Sequence, residues 1–283
     1  MPITGATRVF FIVGDPVAQV RAPETFNAVF DKHGVDAVLV PARVSAAGLE
    51  AFVRSALQLG NCGGVWVAIP HKAPMLALLD TVDRLATAAG AVNAVRRNLD
   101  GSLEGALFDG VGFVRALDHF GVRTGGKRAL VVGVGGGGSA IAASLADRDI
   151  GALALFDADR VRAEATAARI ARTLGVPATV AASADPAGFD LVVNATPLGL
   201  DLGDPMPFDP HRADASATVV DILMKNQPTP LVRACRARGI AAYAGFEMMI
   251  QQTPAYLRFF GYDAIAEAVE ADASDLRAQL APV

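Results

Sequence analysis

Cysteine, histidine and lysine are all scarce in this chain of 283 residues. The two cysteines, Cys62 and Cys235, lie far apart, so no disulfide framework is indicated and a cytoplasmic location is expected. The four histidines lack the spacing of metal ligands, and no metal site is predicted. A net charge of −4 without basic clusters argues against a nucleic-acid partner. No apolar run approaches the roughly 18 residues of a membrane span, and no export signal is recognisable.

Lysine is rare enough to make one position informative. The chain has four lysines against 21 arginines. Lysine can take up and release a proton, whereas arginine stays charged, so lysine suits proton transfer. Lys72 follows a predicted strand over Val65 to Ile69, and open α/β sheets bind ligands beyond the carboxyl ends of their strands. Lys72 is therefore a candidate catalytic residue, with a solvated loop lysine as the alternative.

The most informative segment is a glycine-rich run. Gly133, Gly135 and Gly138 form a G-x-G-x-x-G motif between an apolar strand and a predicted helix over Ala140 to Ala146. The first glycine permits a tight turn, the second lets the backbone approach a pyrophosphate, and the third lets the helix pack on the strand. Asp157 closes the next strand, where an acid can accept a hydrogen bond from a ribose hydroxyl. This order predicts a dinucleotide site, with a purely structural turn as the alternative.

Hydrophobic periodicity predicts an α/β protein, and its length suggests two domains. Strands alternate with helices, which predicts a mostly parallel sheet with helices on both faces. The first strand is predicted over Val9 to Val13, and the second, Ala37 to Val40, is expected to stop at Pro41. A helix is predicted over Ala47 to Leu59, and the turn residues at Asn98 to Gly101 predict a hairpin.

Several short segments occur in a recognisable order along the chain. They are Gly14-Asp15-Pro16-Val17-Ala18, Ile69-Pro70-His71-Lys72, Gly90-Ala91-Val92-Asn93, Asp109-Gly110-Val111-Gly112-Phe113, the glycine-rich run, Asn194-Ala195-Thr196-Pro197, Thr229-Pro230-Leu231, and Gly245 with Met248-Met249 and Gln252. This set resembles the shikimate/quinate dehydrogenase family from about Val9 to Asp263. The resemblance implies a substrate domain over 1–112, a doubly wound Rossmann dinucleotide-binding domain over 113–244, and C-terminal helices over 245–283 that pack on the substrate domain.

The resemblance also implies an activity, an NAD(P)-dependent alcohol dehydrogenase acting on a small hydroxy acid. Lys72 and Asp109 match the family's catalytic pair, in which the lysine exchanges a proton with the reacting oxygen and the aspartate keeps lysine and hydroxyl in register. Taken alone, Asp109 also fits a helix cap. The implied substrate-binding positions are Gln19, Val20, Ala22, Ala68, Asn93, Met224 and Gln252. The implied cofactor-binding positions are Gly133, Gly135, Gly136, Gly137, Gly138, Ser139, Asp157, Arg160, Asn194, Thr196, Pro197, Ile222, Gly245 and Met248.

The substrate-binding segments depart from the family pattern. The family's His-Ser-Lys-Ser-Pro, whose serines grip the substrate carboxylate, is replaced by Gln19-Val20-Arg21-Ala22-Pro23. Its Asn-Val-Thr-Val-Pro-Phe-Lys is replaced by Trp66-Val67-Ala68-Ile69-Pro70-His71-Lys72, Leu107 and Phe108 replace Asn-Thr, and Met224 replaces a common tyrosine. The expected substrate is therefore less polar than shikimate or anchored differently. The candidate new anchors are Gln19, Arg21 and His71.

The segment that follows the second nucleotide strand favours NAD over NADP. NADP-using members of the family commonly carry Asn-Arg-Thr there, whereas this chain has Asp157-Ala158-Asp159-Arg160. The acid accepts from a ribose hydroxyl and repels a phosphate, although Arg160 still offers a phosphate partner. A genuine shikimate or quinate dehydrogenase and a non-catalytic NAD-binding sensor are the alternative functions, and the motif order disfavours a folate-linked dehydrogenase. A monomer or homodimer is expected.

Overall fold

The computed structural model describes residues 2–201 and 203–280, which divide into two compact units. The first unit takes the described residues up to 86, residues 90–108 and residues 253–280. The second takes residues 87–89 and the described residues of 109–252. Among the described residues, no helix combines the length and apolar character that crossing a membrane requires.

A mixed sheet forms the centre of the first unit. Its strands are β1 (Arg8–Gly14), β2 (Ala37–Arg43), β3 (Cys62–Val67), β4 (Thr81–Val82), β5 (Ala94–Arg97) and β6 (Leu103–Ala106). They lie in the order β2-β1-β3-β5-β6-β4. The strands β2, β1 and β3 are parallel, whereas β5 is antiparallel to both β3 and β6, so the predicted hairpin is confirmed.

Several predicted limits in this unit were wrong. Strand β1 is one residue longer at each end than predicted, and β3, predicted over Val65 to Ile69, spans Cys62–Val67. Strand β2 continues through Pro41 to Arg43, and it can do so because it lies at the edge of the sheet, where a missing N–H breaks no ladder. The predicted helix over Ala47 to Leu59 is shorter. A 3₁₀ turn, Ala46–Gly48, precedes α2 (Leu49–Ala56), with Ser45 accepting the N–H of Gly48 as its cap.

The aromatic core of the first unit explains how the chain accommodates a tryptophan in β3. Helix α1 (Ala22–Lys32) buries Phe26 against the sheet. A further helix, α3 (Arg84–Ala89), follows β4 along the chain. Trp66 is 2% exposed and stacks on Tyr256 and Phe260, with ring centroids 5.3 and 4.3 Å away. The ring of Phe26 meets the same indole edge-on at 5.0 Å. Trp66 is therefore a packing residue of this unit.

A parallel sheet forms the centre of the second unit. Its elements are α4 (Asp109–His119), β7 (Arg128–Val132), α5 (Gly136–Ala146), β8 (Ala152–Phe156), α6 (Arg160–Leu174), β9 (Ala178–Val180), β10 (Leu191–Asn194), β11 (Thr218–Asp221), α7 (Pro230–Ala237), β12 (Ala241–Ala244) and α8 (Phe246–Phe259). The strands lie in the order β12-β11-β10-β7-β8-β9. Numbered within the unit, this is the 3-2-1-4-5-6 order of a Rossmann fold, whose switch point lies between β7 and β10.

Close helix packing sets the limits of the second unit. Helix α4 belongs to it from its first residue, because a side chain at Gly110 would overlap the carbonyl oxygen of Ala140 on α5. Gly112 allows the same approach to Met248 on α8, and the unit extends along α8 to Gln252. The two units therefore divide after residues 108 and 252, whereas the sequence analysis predicted boundaries after 112 and 244. The C-terminal segment continues as α9 (Asp263–Ala271) and α10 (Ser274–Leu280).

Candidate active site

The loop after β7 is built so that only glycine fits at two of its positions. Gly133 has φ +88°, and a Cβ there would lie 2.8 Å from Cγ2 of Thr196. A Cβ at Gly138 would overlap the carbonyl oxygen of Gly133. The first and third glycines of the motif therefore serve the tight turn and the close packing that the sequence predicts. They also bring the loops after β7 and β10 together at the switch point.

The middle glycine has a different environment. Gly135 is the N-cap of α5, with no side-chain cap, and a Cβ added to it would have nothing within 4 Å. Helix α5 begins at Gly136, four residues before the predicted Ala140, so Gly136 and Gly137 form its first turn. An uncapped helix N-terminus beside open space fits an anionic pyrophosphate. Ser139 is instead bonded within the helix, its N–H to Gly135 and its Oγ to Gly136.

Asp157 is held at the end of β8 by the glycine loop itself. The N–H of Val134 donates to Oδ2 of Asp157 at 2.8 Å, and the carboxylate is 8% exposed. Arg162, which the sequence reasoning missed, contacts Asp157 Oδ1 at 3.3 Å and Asp159 at 3.4 Å. Arg160, the predicted cofactor residue, is exposed and donates to Glu164 at 2.8 Å. The anchored group at this strand end is thus a carboxylate, and the nearest guanidinium is already paired with it.

A buried network, also missed, organises the loop that follows β10. Asn194 is fully buried and its amide donates to Oδ1 of Asp221 at 3.1 Å, while its Oδ1 accepts from the N–H and hydroxyl of Thr196. The other oxygen of Asp221 accepts from Thr229 at 2.6 Å, and Thr229 caps α7. Burial raises the pKa of the Asp221 carboxyl, although these hydrogen bonds oppose the shift. The Asn194 side chain therefore shapes the predicted loop and is not open to a ligand.

The other predicted cofactor positions lie on neighbouring loops of the same sheet edge. Cδ1 of Ile222, beyond β11, lies 3.3 Å from a Cβ built at Gly137. Gly245, beyond β12, packs against the backbone of Ile222, where a Cβ would lie only 2.6 Å away. Pro197 is exposed beyond β10 and Met248 is buried in the first turns of α8. The glycine loop, Asp157 and the loops after β10, β11 and β12 thus meet at one edge of the sheet.

In the first unit, Lys72 and Asn93 lie on two joined segments. Lys72 is half-buried in the turn beyond β3, and its carbonyl accepts the N–H of Val92 at 2.9 Å. The amide of Asn93 is 1% exposed, and its Oδ1 accepts the N–H of Phe108 at 2.9 Å. Since that bond fixes the orientation of the amide, Nδ2 points the other way, where no described residue accepts from it. A buried donor without a partner is a candidate ligand contact.

Asp109 and Gln252 belong to the second unit. Asp109 is the first residue of α4 and is 6% exposed, so it occupies the N-terminal position at which a carboxylate is favoured. Gln252 lies on α8, and its Cβ would be 2.7 Å from a Cβ at Gly112. Among the described residues none bonds to its buried Oε1. Met224, the other predicted substrate residue of this unit, is half-buried beyond β11.

The predicted anchors for an altered substrate are engaged elsewhere. Gln19 donates to the carbonyl of Pro16 at 2.7 Å. Arg21 pairs with Glu24 at 3.1 Å and also donates to the carbonyl of Leu280. His71 is fully buried, its Nε2 bonds to the carbonyl of Val44 at 2.7 Å, and no described residue bonds to its Nδ1. Its ring instead ties the Lys72 turn to the end of β2.

Comparison with known proteins identifies the chain. Residues 12–95 match the model of the shikimate dehydrogenase substrate binding domain. A shikimate dehydrogenase (NADP(+)) of Rubrobacter xylanophilus is 37% identical over 255 residues, which is 88% of this chain and 89% of the relative. The crystal structure of a shikimate dehydrogenase from Aquifex aeolicus aligns with a TM-score of 0.84 at 25% identity, over 96% of this chain and 100% of the other.

A third similar protein is not named as a shikimate dehydrogenase. The ligand-free 5-ketofructose reductase of Gluconobacter sp. strain CHM43 aligns with a TM-score of 0.80 at 26% identity, over 94% of this chain and 98% of that one.

The resemblance stated from the motifs is confirmed, and so is the α/β fold with substrate and nucleotide-binding domains. The protein is an NAD(P)-dependent oxidoreductase acting on CH–OH donors, and it belongs to the shikimate/quinate dehydrogenase family.

Proposed function

We propose that this protein interconverts a secondary hydroxyl and a ketone of a small hydroxy compound, with Lys72 and Asp109 as its catalytic residues. The observation that carries the proposal is the unpartnered donor of Asn93. It lies in the same unit as Lys72, one residue after the N–H that donates to the lysine carbonyl. A substrate hydroxyl would satisfy this donor beside the lysine turn.

The chemistry assigned to these residues is proton transfer and orientation. During oxidation, the neutral amine Nζ of Lys72 accepts the proton of the substrate hydroxyl, and during reduction the ammonium returns it to the carbonyl oxygen. Asp109 is assigned the orienting role that the family resemblance implies, which is to keep the lysine and the hydroxyl in register. A bound nicotinamide nucleotide supplies the hydride acceptor or donor. The glycine loop, Asp157 and the loops with Thr196 and Ile222 would hold that nucleotide.

The preferred substrate is proposed to be less polar than shikimate or differently anchored. The positions of the two family serines are the half-buried Val20 and Ala22, and Ala68 stands where the family has threonine. None of these side chains can donate a hydrogen bond. Each substrate hydroxyl or carboxylate oxygen left without a partner costs about 1–3 kcal/mol, so several such losses reduce shikimate affinity by orders of magnitude.

Steady-state kinetics with shikimate tests this proposal directly. We expect a kcat/KM for shikimate at least about 100-fold below that for the best substrate in a panel of cyclic and acyclic hydroxy compounds, which corresponds to about 2.7 kcal/mol. The Rubrobacter relative, assayed in parallel, serves as the control for the quality of the shikimate. Efficient shikimate turnover with a micromolar KM would contradict the proposal and leave an ordinary shikimate dehydrogenase.

NAD is the cofactor that we propose for this site, although the Rubrobacter relative is named for NADP(+). The carboxylate of Asp157 is fixed by the N–H of Val134 at the strand end where the adenosine ribose binds in Rossmann folds. A ribose hydroxyl can donate to this carboxylate, whereas a 2′-phosphate would meet a like charge. Arg162 does not reverse the preference, because Asp157 and Asp159 already neutralise it.

Two isosteric substitutions separate the role of Asp157 from a general effect of charge. We expect Asp157→Asn to lower the ratio of kcat/KM for NAD to that for NADP about tenfold, which is about 1.4 kcal/mol. Asp159→Asn is the control. It also removes one negative charge beside Arg162, and asparagine keeps the cap of α6, so the ratio should change less than about twofold. A wild-type enzyme that clearly prefers NADP would contradict the assignment.

A further inference from the structure

The carboxyl ends of β2, β1 and β3 meet at one edge of the first unit, which we call the Lys72 edge (residues 14–16, 43–44 and 68–72). The N–H of Asp15 donates to the carbonyl of Ile69 at 3.1 Å. The N–H of Val44 donates to the carbonyl of Gly14 at 3.2 Å. A Cβ built at Gly14 would lie 3.2 Å from Cβ of Ala68. The strand ends, the alanine and the lysine turn are therefore in direct contact with one another.

The guanidinium groups around the Lys72 edge are already matched by acids of the chain. Arg43, the last residue of β2, pairs with Asp15 at 2.8 Å. Arg21, at the end of the loop that leaves β1, pairs with Glu24 and donates to the Leu280 carbonyl. A substrate carboxylate approaching either guanidinium would also approach its acid. The attraction and the repulsion offset each other, so these pairs give an anion little net attraction.

Two predicted anchors with neutral donors, Gln19 and His71, also bond within the chain. Gln19 donates its amide to the Pro16 carbonyl, and His71 bonds to the Val44 carbonyl from a fully buried position. Val20 and Ala22 have no polar side-chain atom. The serines that grip a carboxylate in the family pattern are therefore absent, and the predicted anchors Gln19, Arg21 and His71 each bond within the chain.

We propose that the substrate of this enzyme is an uncharged polyhydroxy ketone or its alcohol, with no carboxylate. This inference rests on the proposed dehydrogenase function and narrows its substrate class. The Asn93 amide and the Lys72 amine serve hydroxyl and carbonyl oxygens, which an uncharged sugar-like molecule supplies. A similar structure is named as a 5-ketofructose reductase, an enzyme whose name gives a keto sugar as its substrate, and this supports the proposed substrate class.

A matched pair of ligands tests the charge alone. Shikimate and its primary amide share the ring, the hydroxyls and nearly the same volume, and only the acid carries a negative charge. Dissociation constants are measured by isothermal titration with the reduced cofactor bound, NADH for this enzyme and NADPH for the Rubrobacter relative, so that neither alcohol is oxidised during the titration. We expect the amide to bind this enzyme at least about fivefold more tightly than the acid, and the relative to show the reverse order. Tighter binding of the acid to this enzyme overturns the inference.

A variant that restores the family's serines provides the second arm. We expect Val20→Ser/Ala22→Ser to strengthen the binding of the acid about tenfold or more and to change that of the amide less, since hydroxyls bond more strongly to a charged acceptor. Equal effects on both ligands would contradict the inference. Turnover is scored separately with keto sugars and NADH. If no ketone is turned over, the dehydrogenase proposal is overturned. The dissociation constants of the acid and the amide decide separately whether the substrate carries a carboxylate.

Discussion

Replacement of Lys72 by alanine is expected to lower kcat by about 10³-fold, because removing a positioned proton carrier typically costs 10²- to 10⁴-fold. The affinity for NAD should stay within about twofold of the wild-type value, because the residues proposed to hold the nucleotide lie in the second unit and Lys72 in the first. Lys72→Arg should lose nearly as much activity, since a guanidinium keeps the charge without releasing a proton. The measurements are steady-state kinetics with the best substrate and titration of NAD by calorimetry.

Lys32→Ala is the matched control for this experiment. Lys32 lies on α1 of the same unit, is exposed and bonds to Asp275, which raises the pKa of its ammonium. Loss of an exposed ion pair should leave kcat unchanged, because such pairs contribute little. A Lys72→Ala enzyme that keeps more than about a tenth of its kcat would remove the lysine from the catalytic step. A wild-type protein that binds NAD and turns over no substrate would favour the alternative of a sensor.

The nucleotide half of the molecule was the part that could be predicted best. Strands β8, β10 and β12 are short apolar runs that end at or beside Asp157, Asn194 and Gly245, and such runs leave little freedom in where a buried strand stops. The motif glycines also behave as predicted, since positive φ and close backbone approach are properties that few residues other than glycine allow. Local sequence is sufficient where the constraint itself is local.

The features that escaped prediction depend on residues distant in sequence. Asn194 and Asp221 are 27 positions apart, and their hydrogen bond exists because β10 and β11 are neighbours in the sheet. The orientation of His71 is decided by the carbonyl of Val44, also 27 positions away. The sequence predicts that the strand ends at Pro41, because the edge position of this strand becomes visible only from the sheet order. In each case the residue type indicated a role correctly, and tertiary packing decided which partner or position the residue has.

The substrate-binding positions show the same difference between what the sequence reveals and what tertiary packing decides. The apolar replacements at Val20, Ala22 and Ala68 are visible in the sequence, and they show which contacts are lost. Which contacts replace them depends on side-chain partners, and the structure shows Gln19 and Arg21 bonded within the chain. A reading of residue types alone therefore favours new anchors, whereas the hydrogen bonds favour a substrate that needs none.

Substitution of Gly135 by alanine is expected to raise the dissociation constant of NAD at least about tenfold without lowering stability, a loss of about 1.4 kcal/mol in binding. Gly135 has φ −67° and open space around its Cβ, so the free protein accommodates alanine without strain. The added methyl group projects at the uncapped N-terminus of α5, where a pyrophosphate must approach the backbone. The thermal midpoint should stay constant or rise slightly, since alanine restricts the unfolded chain.

Two further glycines make this prediction specific. Gly138→Ala should lower both the thermal midpoint and NAD affinity, because its Cβ would overlap the carbonyl oxygen of Gly133 and force the loop to move. Gly60→Ala, at an exposed position in the first unit that is also free of neighbours, should change neither quantity. Calorimetric titration with NAD and thermal unfolding without it measure the two effects separately. If Gly135→Ala bound NAD as tightly as Gly60→Ala, the pyrophosphate would have to lie elsewhere, and the motif at 133–138 would be a packing turn alone.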